Sequence, residues 1–232
     1  MKKIALVTGG NSGIGYATAK LLKKKEYEVL ISGRNPQKTQ EAGEELGVKT
    51  IIADMTDIES IKFLASHFLE SGLDVLVNNA GIAQFVGIDD FTEELFAHFL
   101  NVHLRGPLLL VKSLVSGLRK RKGNIVFVSS IATKKGFAGG YLYAAAKGGI
   151  RAAVRNLAVE LAPDIRVNTV SPGSVDTPLL RGLGVPVEEI ASANPLKRIG
   201  APEDIASVIL TIAENPYVTG ANWVVDGGET AV

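Results

Sequence analysis

Short apolar runs punctuate the chain at residues 4–7, 29–32, 49–53, 74–78, 124–129, 166–171 and 222–225. Their hydrophobicity is nearly continuous rather than alternating, as expected of strands covered on both faces. Long amphipathic segments, among them 15–25, 58–69 and 95–118, separate most of the runs and read as helices. Strands alternating with helices imply right-handed crossovers, so the pattern predicts an α/β fold: an open, doubly wound parallel sheet of about seven strands with helices on both faces. The least regular stretch, 172–200, carries Pro172, Pro178, Pro186 and Pro195 around one short helical candidate at 188–193. It follows a strand, at the sheet end where such folds bind ligands, and is expected to be a flexible cover over a site.

At 232 residues the chain suits one domain, spanning 1–232, and no linker, repeat or low-complexity tract divides it. Lys and Arg total 25 against 24 Asp and Glu, so the formal charge of +1 offers no global footprint for nucleic acid or an anionic membrane. The first apolar run is too short for a signal peptide, and none approaches the length of a membrane-spanning helix. There is no cysteine, which removes disulfides and thiolate chemistry and fits a cytoplasmic location. His67, His98 and His103 form no ligand pattern, so no metal site is expected and each histidine reads as a surface or packing residue.

Two loops carry candidate chemistry. Thr8, Gly9, Gly10, Asn11, Ser12, Gly13, Ile14 and Gly15 join the first strand to the first helix, with spacing TGxxxGxG. Glycines allow close backbone approach, and a helix N-terminus presents unpaired N–H groups, so the turn can hold a pyrophosphate; alternatively it is only a tight connection. After the second strand stands Arg34, where an acid would favour an unmodified ribose and an arginine suits a 2′-phosphate. A solvated loop arginine is the plain alternative.

Tyr143 and Lys147 stand four residues apart at the start of a predicted helix, hence one turn apart on one face. An ammonium beside a phenol lowers its pKa, and such a tyrosine can give a proton to a carbonyl oxygen or take one from an alcohol. By itself, the pair fits an ordinary helix surface equally well.

With these motifs in view, the chain resembles the short-chain dehydrogenase/reductase family in its compact branch, along essentially its whole length. The family's motifs occur in order: TGxxxGxG, Asp54 after the third strand, Asn78, Asn79, Ala80 and Gly81 after the fourth, Asn101, Ser130, the YxxxK of Tyr143 and Lys147, and Pro172, Gly173 and Thr177. The resemblance implies a Rossmann-like fold and reversible hydride transfer between a nicotinamide and a carbonyl or secondary alcohol. It also selects Ser130 over Ser129, through the family's serine-to-tyrosine interval.

By the same resemblance Tyr143 is the general acid/base, Lys147 holds the nicotinamide ribose and lowers the Tyr143 pKa together with the nicotinamide charge, Ser130 orients the substrate oxygen, and Asn101 holds a relay water. Ser130 and Asn101 have plainer readings as a helix cap and a satisfier of kinked backbone. Gly9, Asn11, Ser12, Gly13, Ile14 and Gly15 are expected around the phosphates and ribose. Asp54 and Met55 are expected at the adenine, Asn79, Ala80 and Gly81 along the groove, and Pro172, Val175 and Thr177 near the carboxamide.

Arg34 makes NADP(H) the expected cofactor, with NAD(H) second, although Ser12 stands where many NADP-preferring members carry a basic residue. Gln84, Phe85, Phe137, Leu142 and Leu179 are candidates for the pocket of a small carbonyl or alcohol substrate. Apolar surface beyond one stripe on 95–118 and 143–161 points to a homo-oligomer; family resemblance adds the strand around Trp223 and makes a tetramer the expectation, with a dimer second. Two other readings keep the cofactor and change the outcome: epimerisation or dehydration, and a dinucleotide-binding sensor without turnover. An enoyl-thioester reductase is closer in chemistry, but its tyrosine-to-lysine spacing is wider than the four residues found here.

Overall fold

The computed structural model describes residues 2–232. Seven strands, β1 (Ile4–Thr8), β2 (Glu28–Gly33), β3 (Lys49–Ile52), β4 (Val75–Asn78), β5 (Asn124–Val128), β6 (Arg166–Pro172) and β7 (Asn222–Val225), form one sheet in the order β3-β2-β1-β4-β5-β6-β7. Every pairing is parallel. The doubly wound Rossmann-like sheet anticipated from the apolar runs is therefore present, with each strand within one or two residues of its run.

Successive strand residues point to opposite faces, and each face is covered. Leu6, Leu30, Leu76, Ile125 and Val167 face one core. It is closed by Ile61 and Leu64 of α3 (Ile58–Ser66), Leu110 and Leu114 of α5 (Gly106–Arg121), and Ile150 and Val154 of α6 (Tyr141–Leu161). Val7, Ile31, Val77, Val126 and Val170 face the other core, against Leu22 of α1 (Gly13–Lys24), Ala42 of α2 (Pro36–Leu46), and Ile205, Ile209 and Ile212 of α9 (Pro202–Glu214).

The segment expected as one helix at 95–118 is broken. It comprises α4 (Glu93–Leu100), a π-helical turn (Asn101–Arg105) and α5, with the Gly106 N–H bonded to the Asn101 carbonyl. Gly106 and Pro107 mark the break, and a side chain at Gly106 would collide with the Met55 carbonyl. Such π-bulges collect at functional sites.

The 172–200 segment carries α7 (Pro178–Arg181) and α8 (Val187–Ala193), of which only α8 was anticipated. A bridge between Val175 and Gly200 closes its base: Gly200 N–H donates to the Ser174 carbonyl, and Asp176 N–H to the Gly200 carbonyl, both at 2.8 Å.

Candidate active site

Strand order reverses between β1 and β4, so the crevice at their carboxyl ends is the sheet's natural ligand site. The glycine-rich turn leaves β1 there. Gly9 has φ 61°, and a Cβ on it would lie 2.9 Å from the Ala80 Cα, so only glycine fits without displacing the backbone that follows β4. Asn79 locks the two segments, its side-chain amide donating to the carbonyls of Thr8 (3.0 Å) and Gly9 (3.1 Å). In return the Thr8 hydroxyl accepts from the backbone N–H groups of Asn79 and Ala80. Asn79 thus braces the turn structurally.

α1 opens at Gly13. Its cap residue, Ser12, makes no side-chain capping bond and no acid stands in its first turn, leaving N–H groups and a partial positive charge toward the crevice. Gly13, at φ 51°, approaches Thr177 so closely that a Cβ would sit 3.0 Å from the threonine methyl. The turn and the segment after β6 therefore face each other across a cavity of about 510 Å3. Gly9, Asn11, Ser12, Gly13 and Ile14 line it together with Asn79, Ala80 and Gly81 and with Pro172, Val175 and Thr177.

Arg34, Asp54 and Met55 lie outside this lining, as does Gly15, which is packed under the Gly9 carbonyl. Arg34 is exposed just beyond β2, near enough to Asp54 to lower its pKa. Burial alone would raise the Asp54 carboxyl, but hydrogen bonds from the Thr56 N–H and hydroxyl, both 2.8 Å, join Arg34 in bringing it below its ordinary range. The Met55 side chain is buried in the core, so any adenine contact there falls to its backbone.

Ser130, Tyr143 and Lys147 line the same cavity. Ser130 follows β5 and caps the 3-10 turn Ile131–Thr133, its oxygen accepting from Ala132 N–H at 3.1 Å; the hydroxyl proton is left to donate. Lys147 is 5% exposed, and its ammonium donates to the Val128 carbonyl at 2.7 Å. Burial lowers its pKa from 10.5 to about 8. The Tyr143 phenol moves the other way: burial pushes it up to about 12 against the lowering effect of its hydrogen bond with Ser130. The lowering expected from Lys147 therefore does not appear in the protein alone, because the ammonium is turned to the Val128 carbonyl and desolvation dominates.

Asn101 opens the π-helical turn but does not line the cavity, so what it visibly does is shape backbone. Two residues on, His103 does line it, which the sequence reading missed. Its ring meets Tyr143 edge-on at 5.3 Å and stacks on Phe99 at 5.9 Å, while Nε2 engages Ile82 O at 2.8 Å. Burial and the Lys147 charge hold its pKa well below the ordinary value, so it is a neutral brace on the phenol ring. Of the anticipated pocket residues, Gln84, Phe85, Phe137 and Leu179 line the cavity, whereas Leu142 is core.

A nicotinamide dinucleotide fits these residues. Glycines whose Cβ atoms would fill the crevice, free helix N–H groups and a buried ammonium follow one another along a single cavity. Among the described residues no His, Cys, Asp and Glu cluster is arranged to hold a metal, and no helix is long and apolar enough to cross a membrane.

Comparison with known proteins agrees with this layout. A family model described as enoyl-(acyl carrier protein) reductase matches residues 9–230. Carbonyl reductase family member 4 of Xenopus laevis is 34% identical over 98% of this chain and 98% of its own. The 3-oxoacyl-[acyl-carrier-protein] reductase FabG of Thermotoga maritima is 37% identical, with 97% of both chains covered. A solved short chain dehydrogenase/reductase family protein superposes with a TM-score of 0.92 at 37% identity, covering 99% of this chain and 98% of that one. On this evidence the chain belongs to the short-chain dehydrogenase/reductase family of nicotinamide-dependent oxidoreductases.

Proposed function

We propose that the protein catalyses reversible hydride transfer between NADP(H) and a carbonyl or secondary-alcohol carbon, with Tyr143 as general acid/base. The observation that carries this reading is convergence: Ser130, Tyr143 and Lys147 share one cavity with the glycine-rich turn. When bound, the reduced nicotinamide supplies the hydride. Ser130 uses its hydroxyl proton to orient and polarise the substrate oxygen. Tyr143 gives its phenolic proton to that oxygen as negative charge builds there, and takes it back in oxidation. Lys147 holds the nicotinamide ribose hydroxyls beside the phenol, and Asn101 holds a water through which the lysine exchanges protons with solvent.

Gly9, Asn11, Ser12, Gly13 and Ile14 bind the phosphates and adjoining ribose, and Asp54 and Met55 the adenine. Pro172, Val175 and Thr177 orient the carboxamide, and Arg34 pairs with a 2′-phosphate. Support for Arg34 is its exposure just beyond β2 without a carboxylate ion pair. The 172–200 segment serves as a mobile cover.

A panel of aldehydes and ketones incubated with NADPH or NADH, followed by loss of reduced-cofactor absorbance, tests the reaction. Cofactor binding without consumption across the panel would replace it with a sensor that does not turn over.

A further inference from the structure

Beyond the cofactor groove, the cavity wall is built from Phe85, Ile131, Phe137, Leu179, Leu183 and Ile190, with Gln84 as its one uncharged amide. From this wall we infer the substrate class: an uncharged, largely apolar carbonyl compound, with carbonyl compounds bearing a free carboxylate rejected. The inference deepens the hydride-transfer reading of the same site and rests on it.

Among the described lining residues Lys147 is the only cationic side chain, and its ammonium is already engaged with the Val128 carbonyl. His103 is neutral and its Nε2 is taken by Ile82. No Asp or Glu lines the cavity either.

Two cations next to lining residues are matched. Lys135 stands over the Phe137 ring but also 3.5 Å from Glu229, and Arg181 makes a 2.6 Å ion pair with Asp176. Asp89 and Asp90 follow the lining residues Gln84 and Phe85 in the chain, beside Tyr141, whose hydroxyl donates to the Gly87 carbonyl at 3.0 Å. A substrate carboxylate entering this space would leave water and meet apolar walls, with no arginine or lysine of the described lining free to receive it. A buried charge without a partner is far more costly than a buried ester of the same shape. The carbonyl itself needs no charged partner, since Ser130 and Tyr143 serve its oxygen.

Two matched pairs test the inference in wild-type protein: methyl 4-acetylbenzoate against 4-acetylbenzoate, and methyl 4-oxocyclohexanecarboxylate against its free acid. Each ester should exceed its acid by about 100-fold or more in kcat/KM with NADPH, the scale set by an unpaired buried charge. Saturation-transfer NMR with NADP+-loaded protein should show the esters bound and the acids not. Esters bound but not reduced would keep the substrate class and remove the hydride-transfer reading. Acids bound or reduced as well as their esters, or neither ester bound, would overturn the class. Leu183→Arg, and Phe137→Arg from another part of the wall, each set a cation in the wall. In whichever still binds NADPH, the ester-to-acid ratio should shrink at least about tenfold, one charge-assisted pairing; a ratio unchanged in such a variant would overturn the assignment of this wall.

Discussion

The Lys147 ammonium lies 5.6 Å from the centroid of the Tyr143 ring and donates its hydrogen bond to the Val128 carbonyl. In the protein alone the lysine, at about 8, gives up its proton before the phenol, at about 12. A phenolate base for alcohol oxidation therefore needs a further positive charge nearby, which oxidised nicotinamide supplies on binding. The Tyr143 titration, read as the ultraviolet difference between wild type and Tyr143→Phe, should fall with NADP+ below the free-tyrosine value of about 10. Oxidation should accelerate with pH through the same apparent pKa, which belongs to the coupled pair. Tyr143→Phe should bind NADPH normally and lose about 10²- to 10⁴-fold in turnover. A variant retaining most of its activity would refute the mechanism.

Lys147 also bears on stability. Below pH 8 the ammonium is charged in folded and unfolded chains alike, and the folded state carries the full desolvation penalty. Between about 8 and 10.5 the folded form sheds its proton first, so stability contributed at this site rises with pH across that window. Lys147→Met should raise stability at neutral pH by on the order of 2 kcal/mol and flatten the slope, while turnover collapses. Calorimetric melting of the two proteins from pH 6 to about 10 measures both effects.

Arg34→Ala should raise the Michaelis constant for NADPH by about 10- to 100-fold, the worth of charge-assisted hydrogen bonds to a phosphate. For NADH it should change little. Equal changes for both cofactors would remove Arg34 from phosphate recognition.

Glu229 ties the C-terminal segment to two walls of the cavity. Its 6% exposed carboxylate accepts from the Ser174 N–H at 3.0 Å and faces Lys135, whose own N–H bonds the Ile131 carbonyl beside Ser130. Glu229→Ala should cost about 1–3 kcal/mol by leaving that N–H without its acceptor, and should speed hydrogen exchange at Ser174. Glu229→Gln keeps an acceptor and should recover most of the loss. If glutamine proves as damaging as alanine, the charge facing Lys135 matters more than the bond to Ser174.

Apolar surface that the fold leaves uncovered predicts a homo-oligomer, and the family resemblance makes a tetramer the expected size. Phe96 on α4 is 42% exposed and Val159 on α6 82% exposed, while Trp223 on edge strand β7 is half-buried. Light scattering at micromolar concentration should give four times the mass of one chain; a monomer would contradict it.

The strands were legible because a parallel sheet with two covered faces demands nearly continuous apolar runs. That Tyr143 and Lys147 share a face was legible in their helical spacing, while their meeting Ser130 in one cavity was legible only through the order of the family's motifs. The break at Asn101 was partly visible in Gly106 and Pro107, yet it depends on how closely Met55 approaches. The Val128 carbonyl that captures Lys147, the brace made by His103 and the burial of Glu229 were not legible. Each arises from backbone or from residues distant in the chain, brought together only by the sheet.

The bridge between Val175 and Gly200 has a consequence for how the molecule comes apart. The excursion bearing α7 and α8 leaves and returns at one bridge beside the sheet and is tied to the segment after β7 by the Asn194 amide on the Asp226 carbonyl and the Leu196 N–H on the Gly227 carbonyl, so it forms a unit of local unfolding that opens when those bonds break. Opening it need not disturb the pairing of β6 with β5 and β7. A protease that nicks the exposed stretch around Gly182 and Gly184 would therefore release two ends still anchored at the sheet. The nicked protein would keep its glycine-rich turn and its grip on the dinucleotide, while its apolar wall lost Leu183 and Ile190 to solvent.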